Sequence, residues 1–481
     1  MNTDKTLNYL VTDIGTGNVR VALIDSDGEL KGIERDEVHY HGDNTHPEAL
    51  CFDPGQLWDQ IMALAKKLLS RFPDTEIKAI TASSQREGIV LTDREGHNLI
   101  GLPNHDHRGR EWESVVTDPE KIYRLCGRYP GSIFSALKLY GIKKKRTDLF
   151  DATETFMSIS DWAQYQFSGV TGYEHSQASE TLLYDVSARQ WSAGLCREFD
   201  INPDTLPPLR ESGTLLGTVL PEIAEELGIS TETEVIVGGA DTQLAIHSTR
   251  PETDDVIVVA GTTTPIVKLL PSYTLDPRMK TWTGRHTDPD HFVLETNAGV
   301  TGLNYQRLKS LLYPDCGYER IEEEMKPYND PSCTASLGSL IASETNPITS
   351  GGFRFSTPLS DHLKRSDFML ATLWDMAFCI AENYKYLQSV NGHDKDYIWG
   401  CGGGFQSATL AQILSDVLQK KIRIHTGFEH ATIAGAAYCC NQTYGLEVQP
   451  PEDSITEYTP KNKVPVSISD AWQQTRRTFT K

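Results

Sequence analysis

Two aspartates stand at the positions of this sequence that are best suited to chemistry. Asp241 follows the short β-branched run 235–237 through Gly-Gly-Ala, so its carboxylate is expected where a strand stops and the backbone turns. Asp13 ends a second apolar run, 9–13. A carboxylate at such a position can act as a general base or bind a divalent cation. We therefore interpret Asp241 as a candidate base and Asp13 as a candidate Mg²⁺ ligand that acts through water.

Two turns of the sequence are suited to binding phosphates. Gly15-Thr16-Gly17-Asn18 follows Asp13, and Gly261-Thr262-Thr263-Thr264 follows the apolar run 256–259. Small side chains expose the backbone N–H groups and the hydroxyls add donors, which is what a triphosphate requires. Arg20 adds a positive charge that can meet a transferred phosphoryl group. Either turn alone is typical of an ordinary hairpin, so the hypothesis depends on their pairing.

Two common nucleotide-binding motifs are absent from the sequence, and Asp241 has an alternative, structural interpretation. The sequence contains no G-x-x-x-x-G-K-[ST] segment and no G-x-G-x-x-G after a strand, which disfavours a P-loop or a dinucleotide-binding mechanism. For Asp241 the alternative is structural, namely a carboxylate that caps a helix beginning near Thr242.

The elements that must position these residues follow from the apolar patterns. Strand, Gly-Thr turn and strand are predicted at 10–24 and again at 256–270, near the start of each half of the chain. Helices are predicted at 367–390 and, with small residues that permit close packing, at 431–438. The segment 270–291 is rich in Pro, Asp and Thr and predicts loops. The repeated hairpin predicts two related domains that face each other across a cleft.

A polar cluster follows the predicted strand 77–81. Its sequence is Ser83-Ser84-Gln85-Arg86-Glu87-Gly88. Polar residues placed after a strand are candidates for binding or catalysis. We therefore interpret this cluster as a candidate site.

Composition limits the partners of the protein. The 481 residues predict two or three domains, and the formal net charge of -21 disfavours a nucleic-acid backbone or an anionic membrane as the main partner. No apolar run is long enough to cross a bilayer, and the N-terminus lacks the basic and apolar regions of a signal peptide. Nine scattered cysteines favour reduced thiols over a disulfide framework. We expect a cytoplasmic protein without a nucleic-acid or membrane partner, and we leave a homodimer open.

Seven motifs in order resemble the FGGY family of carbohydrate kinases. They are DIGTGNVR (13–20), SSQREGIVLTDREG (83–96), NHDHR (104–108), GGADTQ (238–243), AGTTTP (260–265), GCGGGFQS (400–407) and ATIAGAA (431–437). The resemblance spans nearly the whole chain. It implies an α/β fold of two actin-like (ribonuclease H-like) domains, 1–248 and 249–481, with ATP and Mg²⁺ in the cleft between them.

The resemblance also implies roles for individual residues. Asp13 and Asp241 would bind the metal, and Asp241 would also contact the substrate and act in catalysis. The further substrate contacts would be Gln85, Arg86, Glu87 and Asp106. ATP and its phosphates would be bound by Gly15, Thr16, Gly17, Asn18, Arg20, Gly261, Thr262, Gly402, Gly403, Gly404 and Ser407.

Departures from the family pattern concern the substrate. Most sugar kinases of the family have W-x-D-x-R where this chain has Asn104-His105-Asp106-His107-Arg108, so an aromatic wall of the pocket is expected to be missing. The autoinducer-2 kinases are similar here and also at 86–91, 159–162 and 212–217. Asn18 and Thr263 stand where the family usually has Ser, and both keep a hydrogen-bond donor.

We therefore expect an ATP-dependent kinase that phosphorylates a hydroxyl of a small polyhydroxylated, sugar-like substrate, most similar to an autoinducer-2 (dihydroxypentanedione) kinase. The alternative is a kinase for another carbohydrate, such as xylulose, gluconate or a related sugar acid. A third hypothesis is a non-catalytic nucleotide-binding protein of actin-like fold. That hypothesis is disfavoured because a filament or chaperone does not need the polyol-binding set Arg86, Glu87, Asp106 and Asp241.

Overall fold

The computed structural model describes residues 6–325, 332–345, 348–447 and 454–479. Strands of the first half are β1 (Asn8–Ile14), β2 (Asn18–Asp25), β3 (Leu30–Glu37), β4 (His41–Gly42), β5 (Leu50–Cys51), β6 (Ala79–Ser84), β7 (Ile89–Thr92), β8 (Asn98–Leu102), β9 (Thr155–Ser158), β10 (Tyr173–Glu174), β11 (Tyr184–Asp185), β12 (Gln190–Trp191), β13 (Leu209–Arg210), β14 (Leu215–Thr218) and β15 (Glu234–Ala240). Strands of the second half are β16 (Val256–Val259), β17 (Thr263–Leu270), β18 (Trp282–Arg285), β19 (Phe292–Val300), β20 (Thr334–Ser336), β21 (Gly352–Arg354), β22 (Tyr397–Cys401), β23 (Lys421–His425) and β24 (Ile455–Tyr458).

The helices lie between these strands. In the first half they are α1 (Pro54–Leu69), α2 (Pro119–Cys126), α3 (Ser135–Lys145), α4 (Thr147–Ala152), α5 (Ile159–Ser168), α6 (His175–Ala178), α7 (Ala193–Glu198), α8 (Pro221–Leu227) and α9 (Asp241–Ser248). In the second half they are α10 (Gly302–Leu312), α11 (Tyr318–Glu324), α12 (Arg365–Val390), α13 (Ala408–Leu418), α14 (Ala431–Thr443) and α15 (Val466–Phe479). Within the described part of the chain, no helix has both the length and the apolar character needed to cross a membrane.

The two large sheets repeat one topology. The first has the strand order β14-β15-β6-β1-β2-β3, and the second has β24-β23-β22-β16-β17-β19 with β18 added at its edge. In both, the hairpin and its next neighbour are antiparallel, the two strands on the other side are parallel, and the last strand is antiparallel. The hairpin β1–β2 of the first sheet therefore corresponds to β16–β17 of the second. This is the two-domain α/β architecture that the repeated hairpin predicts and the actin-like fold that the family resemblance implies, while the boundary at 248/249 stays a prediction.

Two helices cross between the sheets. Helix α9 follows β15 of the first sheet, yet its Ile246 packs with Ile257 and other residues of the second sheet. Helix α14 follows β23 of the second sheet, yet its Ile433 packs with Val11 and other residues of the first sheet. Each half thus provides one helix to the core of the other, and Asp241 begins the first of these helices.

The structure of segment 270–291 differs from the prediction. It was expected to form loops, but residues 282–285 form β18, which pairs with β19. The strand is stabilised by a tertiary contact, because the N–H of Thr283 donates to the carbonyl of Gly127 at 2.8 Å. Local composition does not report such a contact, and it attaches the edge of the second sheet to the first half. A smaller difference is that β6 extends to Ser84, so Ser83 lies within the strand.

The cysteines pack as free thiols. All nine are unpaired; Cys316 is partly exposed and the other eight are buried. This agrees with the expectation of reduced thiols.

The crossing of α9 and α14 depends on Gly435. A Cβ added at this residue would lie 1.8 Å from the carbonyl oxygen of Leu244, so only glycine permits the two backbones to approach this closely. The small residues of 431–438 therefore have the close-packing role that the sequence predicts.

Gly435→Ala is expected to destabilise the fold, because the added methyl group would clash with the backbone carbonyl of Leu244. Overpacking of this kind costs about 3 kcal/mol, and the midpoint of thermal unfolding, followed by circular dichroism, should fall by several degrees. Gly392→Ala is the matched control, because a Cβ at Gly392 meets no atom within 4 Å. Equal midpoints for the two variants would show that the crossing does not need glycine.

Candidate active site

The two candidate aspartates lie at neighbouring strand ends. Strand β6 lies between β1 and β15, with Asp13 opposite Ser83 and Ser83 opposite Gly239. Asp241 begins α9 immediately after β15. The carboxyl ends of three parallel strands therefore bring Asp13, Ser83 and Asp241 to one edge of the first sheet, as expected for an α/β site.

The charge environment of Asp241 suits a base. Burial raises the pKa of Asp241 to about 6, against the opposing charge of Arg86, and the nearby carboxylate of Asp13 adds to the rise. Its Oδ1 accepts from the N–H of Thr242 at 2.6 Å, and among the described residues no donor contacts Oδ2. The helix begins at Asp241 with Ala240 at the N-cap, so Asp241 is the first helical residue, and only its Oδ1 bonds to the first turn of the helix. Asp13 is buried and forms an ion pair with Arg20.

The two proposed phosphate turns have matching geometry. In the first, the N–H of Gly15 donates to the carbonyl of Asn18 at 2.9 Å, and in the second the N–H of Gly261 donates to the carbonyl of Thr263 at 3.0 Å. Gly17, Asn18, Gly261 and Thr262 are exposed, whereas Thr16 is half-buried. The structure thus presents two equivalent hairpin turns, one from each sheet, with exposed backbone.

The glycine run 402–404 lies against the second turn. The N–H of Gly404 donates to the carbonyl of Ala260 at 2.8 Å, and Gly402 has a φ of +91°, a conformation that favours glycine. A Cβ at Gly403 would meet no atom within 4 Å, so this residue faces open space.

Ser407 is engaged within the protein. Its hydroxyl accepts from the N–H of Leu410 at 3.1 Å as the N-cap of α13, and it donates to the carboxylate of Glu322 at 2.5 Å. Glu322 also accepts from the hydroxyl of Thr409 at 2.7 Å. Glu322 was missed by the sequence analysis, because a single acidic residue in a charged helix carries no distinctive signal.

Gln85 connects the first turn to the loop at 104. Its amide nitrogen donates to the hydroxyl of Tyr40 at 3.1 Å, and its Oε1 accepts from the N–H of Asn104 at 3.0 Å. The side chain of Asn104 in turn donates to the hydroxyl of Thr16 at 3.0 Å. Asn104, which stands where the family usually has an aromatic residue, therefore contacts the proposed phosphate turn.

Arg86 is held by residues from both halves of the chain. Its Nη1 and Nη2 donate to the two oxygens of Glu295 at 2.6 and 3.0 Å, and Glu180 lies 3.8 Å from Nη1. The guanidinium also lies 5.7 Å from the centre of the Trp282 ring, within cation–π range. Arg128 also lies near this ring, 5.6 Å from the Trp282 centroid, and pairs with Glu180.

Glu87 is buried in a strained turn. Its φ is 60°, in the left-handed region that non-glycine residues seldom adopt, and such strain is concentrated at functional sites. Burial raises the pKa of Glu87 to about 8 against the charge of Arg86, and Glu180 adds to the rise. The turn is fixed by Lys138, whose ammonium donates to the carbonyls of Glu87 at 2.8 Å and Pro103 at 2.6 Å.

Asp106 is placed differently from the other predicted substrate contacts. It is fully buried, with Oδ1 accepting from the N–H of Leu50 at 2.9 Å and Oδ2 from Nε of Arg108 at 2.8 Å. Arg108 also donates to Asp43 at 3.0 Å. This arrangement favours a role in holding the loop, while direct contact with substrate stays a prediction.

Several residues of the site were missed by the sequence analysis. They come from segments outside the recognised motifs: Arg128, Lys138, Glu180, Trp282 and Glu295. Single charged residues and one aromatic in a segment predicted as loop give no pattern in sequence, so only the fold brings them together. Two of these residues, Trp282 and Glu295, line a cavity of about 260 Å³, whose other walls include Lys280, Asn297 and Glu344.

Known proteins resemble this chain in sequence and in fold. The sequence pattern described as "FGGY family of carbohydrate kinases, N-terminal domain" matches residues 8–247, and the C-terminal domain pattern of that family matches residues 310–444. The chain is 46% identical over 479 residues to "Putative sugar kinase YoaC" of Bacillus subtilis (strain 168), covering 99% of this chain and 98% of that protein. It is 27% identical over 466 residues to the autoinducer-2 kinase of Salmonella paratyphi A (strain ATCC 9150 / SARB42), covering 91% and 87%. The fold resembles that of Plasmodium falciparum glycerol kinase with ADP, with a TM-score of 0.83, 19% identity and 98% of both chains covered.

Lys138→Met is expected to destabilise the site, because it removes the donor for buried carbonyls while keeping most of the side-chain volume. Unsatisfied buried acceptors of this kind cost about 3 kcal/mol, so thermal unfolding should begin at a lower temperature. Lys144→Met on the same helix is the control, since Lys144 is exposed. If both variants unfold like the wild type, Lys138 does not hold the Glu87 turn.

Proposed function

The chain belongs to the FGGY family of carbohydrate kinases, and we propose that its acceptor is a linear, sugar-like compound of the autoinducer-2 (dihydroxypentanedione) type. As a member of this family it is an ATP-dependent sugar kinase. The observation that carries the proposed chemistry is the placement of Asp13, Arg86 and Asp241 at or just after the carboxyl ends of the neighbouring strands β1, β6 and β15.

We assign the role of general base to Asp241. A base works best when its pKa lies near the operating pH, and the pKa of Asp241, about 6, keeps the carboxylate ionised at neutral pH while leaving it basic enough to accept a proton. The acceptor hydroxyl would lie between Asp241 and Arg86, with its proton directed to the free Oδ2. Arg86 would then orient the acceptor through N–H groups that Glu295 does not use.

The donor set fits ATP with Mg²⁺. Asp13 and Asp241 supply carboxylate oxygens, the ligands that Mg²⁺ prefers, and the carboxylate of Asp13 adds to the rise in the pKa of Asp241, a repulsion that a cation between them would relieve. When bound, Mg²⁺ would neutralise charge on the phosphate oxygens. The exposed turns at 15–18 and 261–263 would donate backbone N–H groups to the phosphates, and the open space at Gly403 would admit the adenosine.

The acceptor class is supported by similarity and by one substitution. Relatives named autoinducer-2 kinase match 91% of this chain at 27% identity. Asn104 replaces the expected aromatic and donates to Thr16, so the pocket has a polar side chain at this position. The relative at 46% identity is named only as a sugar kinase, and xylulose, gluconate or a related sugar acid is kept as the alternative.

A screen of acceptors tests the proposal. ATP consumption would be measured with dihydroxypentanedione, pentuloses, aldonates and glycerol. We expect the highest kcat/KM with dihydroxypentanedione. A preference for xylulose of more than about tenfold would refute the acceptor class, since a tenfold ratio is about 1.4 kcal/mol of transition-state binding.

Asp241→Asn is expected to reduce kcat by about 10²–10⁴, the usual contribution of a positioned base, while nucleotide binding stays near that of the wild type. In the wild type, kcat/KM should fall as the pH drops below about 6, because protonation removes the base. In the variant, kcat/KM should not show this fall at acidic pH.

Asp74→Asn, at an exposed position after α1, is the control. Residual activity of the Asp241 variant above about a tenth of the wild type would contradict the assignment, because loss of a base costs far more than that.

A further inference from the structure

The positive charge of Arg86 is neutralised within the protein by the carboxylates of Glu295 and Glu180. Glu295 receives two hydrogen bonds from its guanidinium, at 2.6 and 3.0 Å, and both side chains are buried, with 9% and 2% of their surfaces exposed. Burial alone would lower the pKa of Arg86, but Glu295, Glu180 and Glu87 hold it well above its usual value. A bidentate pair of this geometry is among the strongest in proteins.

The neighbouring cationic side chains, Arg128 and Lys138, are also hydrogen-bonded within the protein. Arg128 donates to both oxygens of Glu180 and, at 2.8 Å, to the carbonyl of Thr283. Lys138 is fully buried and gives its donors to backbone carbonyls, among them that of Glu87. Neither side chain is therefore free to pair with a charged group on a substrate.

The remaining ionisable groups near Arg86 are carboxyl groups. Asp241 and Asp13 lie at the strand ends on one side, and Asp13 is paired with Arg20. Glu87 lies in the adjoining turn, where burial raises its pKa to about 8. A carboxylate on the acceptor would find no unpaired cationic side chain at Arg86, Arg128 or Lys138, whereas hydroxyl and carbonyl groups would find both donors and acceptors. A site of this composition discriminates by repulsion as well as by attraction.

We propose that Glu295, supplied by the second sheet, makes the acceptor site selective for neutral polyhydroxylated compounds over sugar acids. Glu295 acts as a positioning residue, because it holds Arg86 in place and cancels the charge with which that arginine would otherwise bind a carboxylate. The inference rests on the proposed function. Among the acceptors considered there, it favours dihydroxypentanedione or a pentulose and disfavours gluconate.

Matched acceptors provide the first test. The kcat/KM of the wild type would be measured for neutral compounds and for acids of the same chain length, such as xylulose against xylonate and glycerol against glycerate. We expect every neutral compound that is phosphorylated to exceed its acid by at least about 100-fold, the size of discrimination that an unbalanced polar contact produces. A wild type that prefers the acids overturns the inference, and one that phosphorylates no acceptor overturns the proposed function together with it.

Glu295→Gln provides the second test. The amide keeps the shape of the carboxylate but frees the charge of Arg86, so the preference should fall at least about tenfold, mainly through a lower KM for the acid. Glu295→Asp keeps the charge and should keep the preference with a higher KM for the neutral acceptor. An unchanged preference in Glu295→Gln would overturn the role of Glu295.

Glu344→Gln is the matched control. Glu344 lines the same cavity as Glu295 but pairs with Arg476, whose Nε lies 2.7 Å from Oε1, so this variant should keep the wild-type preference. Removing one partner of a buried pair can prevent folding. In that event the Glu295→Asp variant and the comparison of acceptors in the wild type still decide.

Discussion

The close approach of α9 and α14 is the constraint on which the rest of the structure depends. Each helix follows a strand of one sheet and packs on the other sheet, and Gly435 lets them meet backbone to backbone beside Leu244. Because Asp241 is the first residue of α9, this crossing fixes the candidate base between the two halves. The turns at 15–18 and 261–263 lie at equivalent places in the two sheets, which is the arrangement that the proposed binding of one nucleotide by both turns requires.

A buried ion pair also connects the two halves of the chain. Arg86 from the first half pairs with Glu295 from the second, and β18 is attached to the first half through Gly127. Breaking a buried pair by removing one partner is costly, whereas an intact pair contributes little net stability. The network is therefore better explained by the recognition of a substrate than by stability, in agreement with the proposal that residues outside the common motifs select the acceptor.

The sequence predicts the parts of this fold that have local causes. The strand runs on both sides of each Gly-Thr turn, the long helix at 365–390 and the small residues of α14 have periodicity or composition that determines their structure. The site was predictable only where residues belong to motifs, as for Asp13, Asp241 and the cluster at 85–87. Strand β18, Lys138 and Glu295 could not be predicted, because their structure and position result from tertiary contacts between segments far apart in sequence.

The most direct test of this account is a crystal structure of the protein with ADP, Mg²⁺ and a phosphorylatable acceptor. The account predicts that a hydroxyl of the acceptor lies between Arg86 and Asp241, within about 3.2 Å of the Asp241 carboxylate, and that Arg86 keeps both hydrogen bonds to Glu295. An acceptor bound away from Asp241, or an Arg86 released from Glu295 to bind the acceptor, would contradict it.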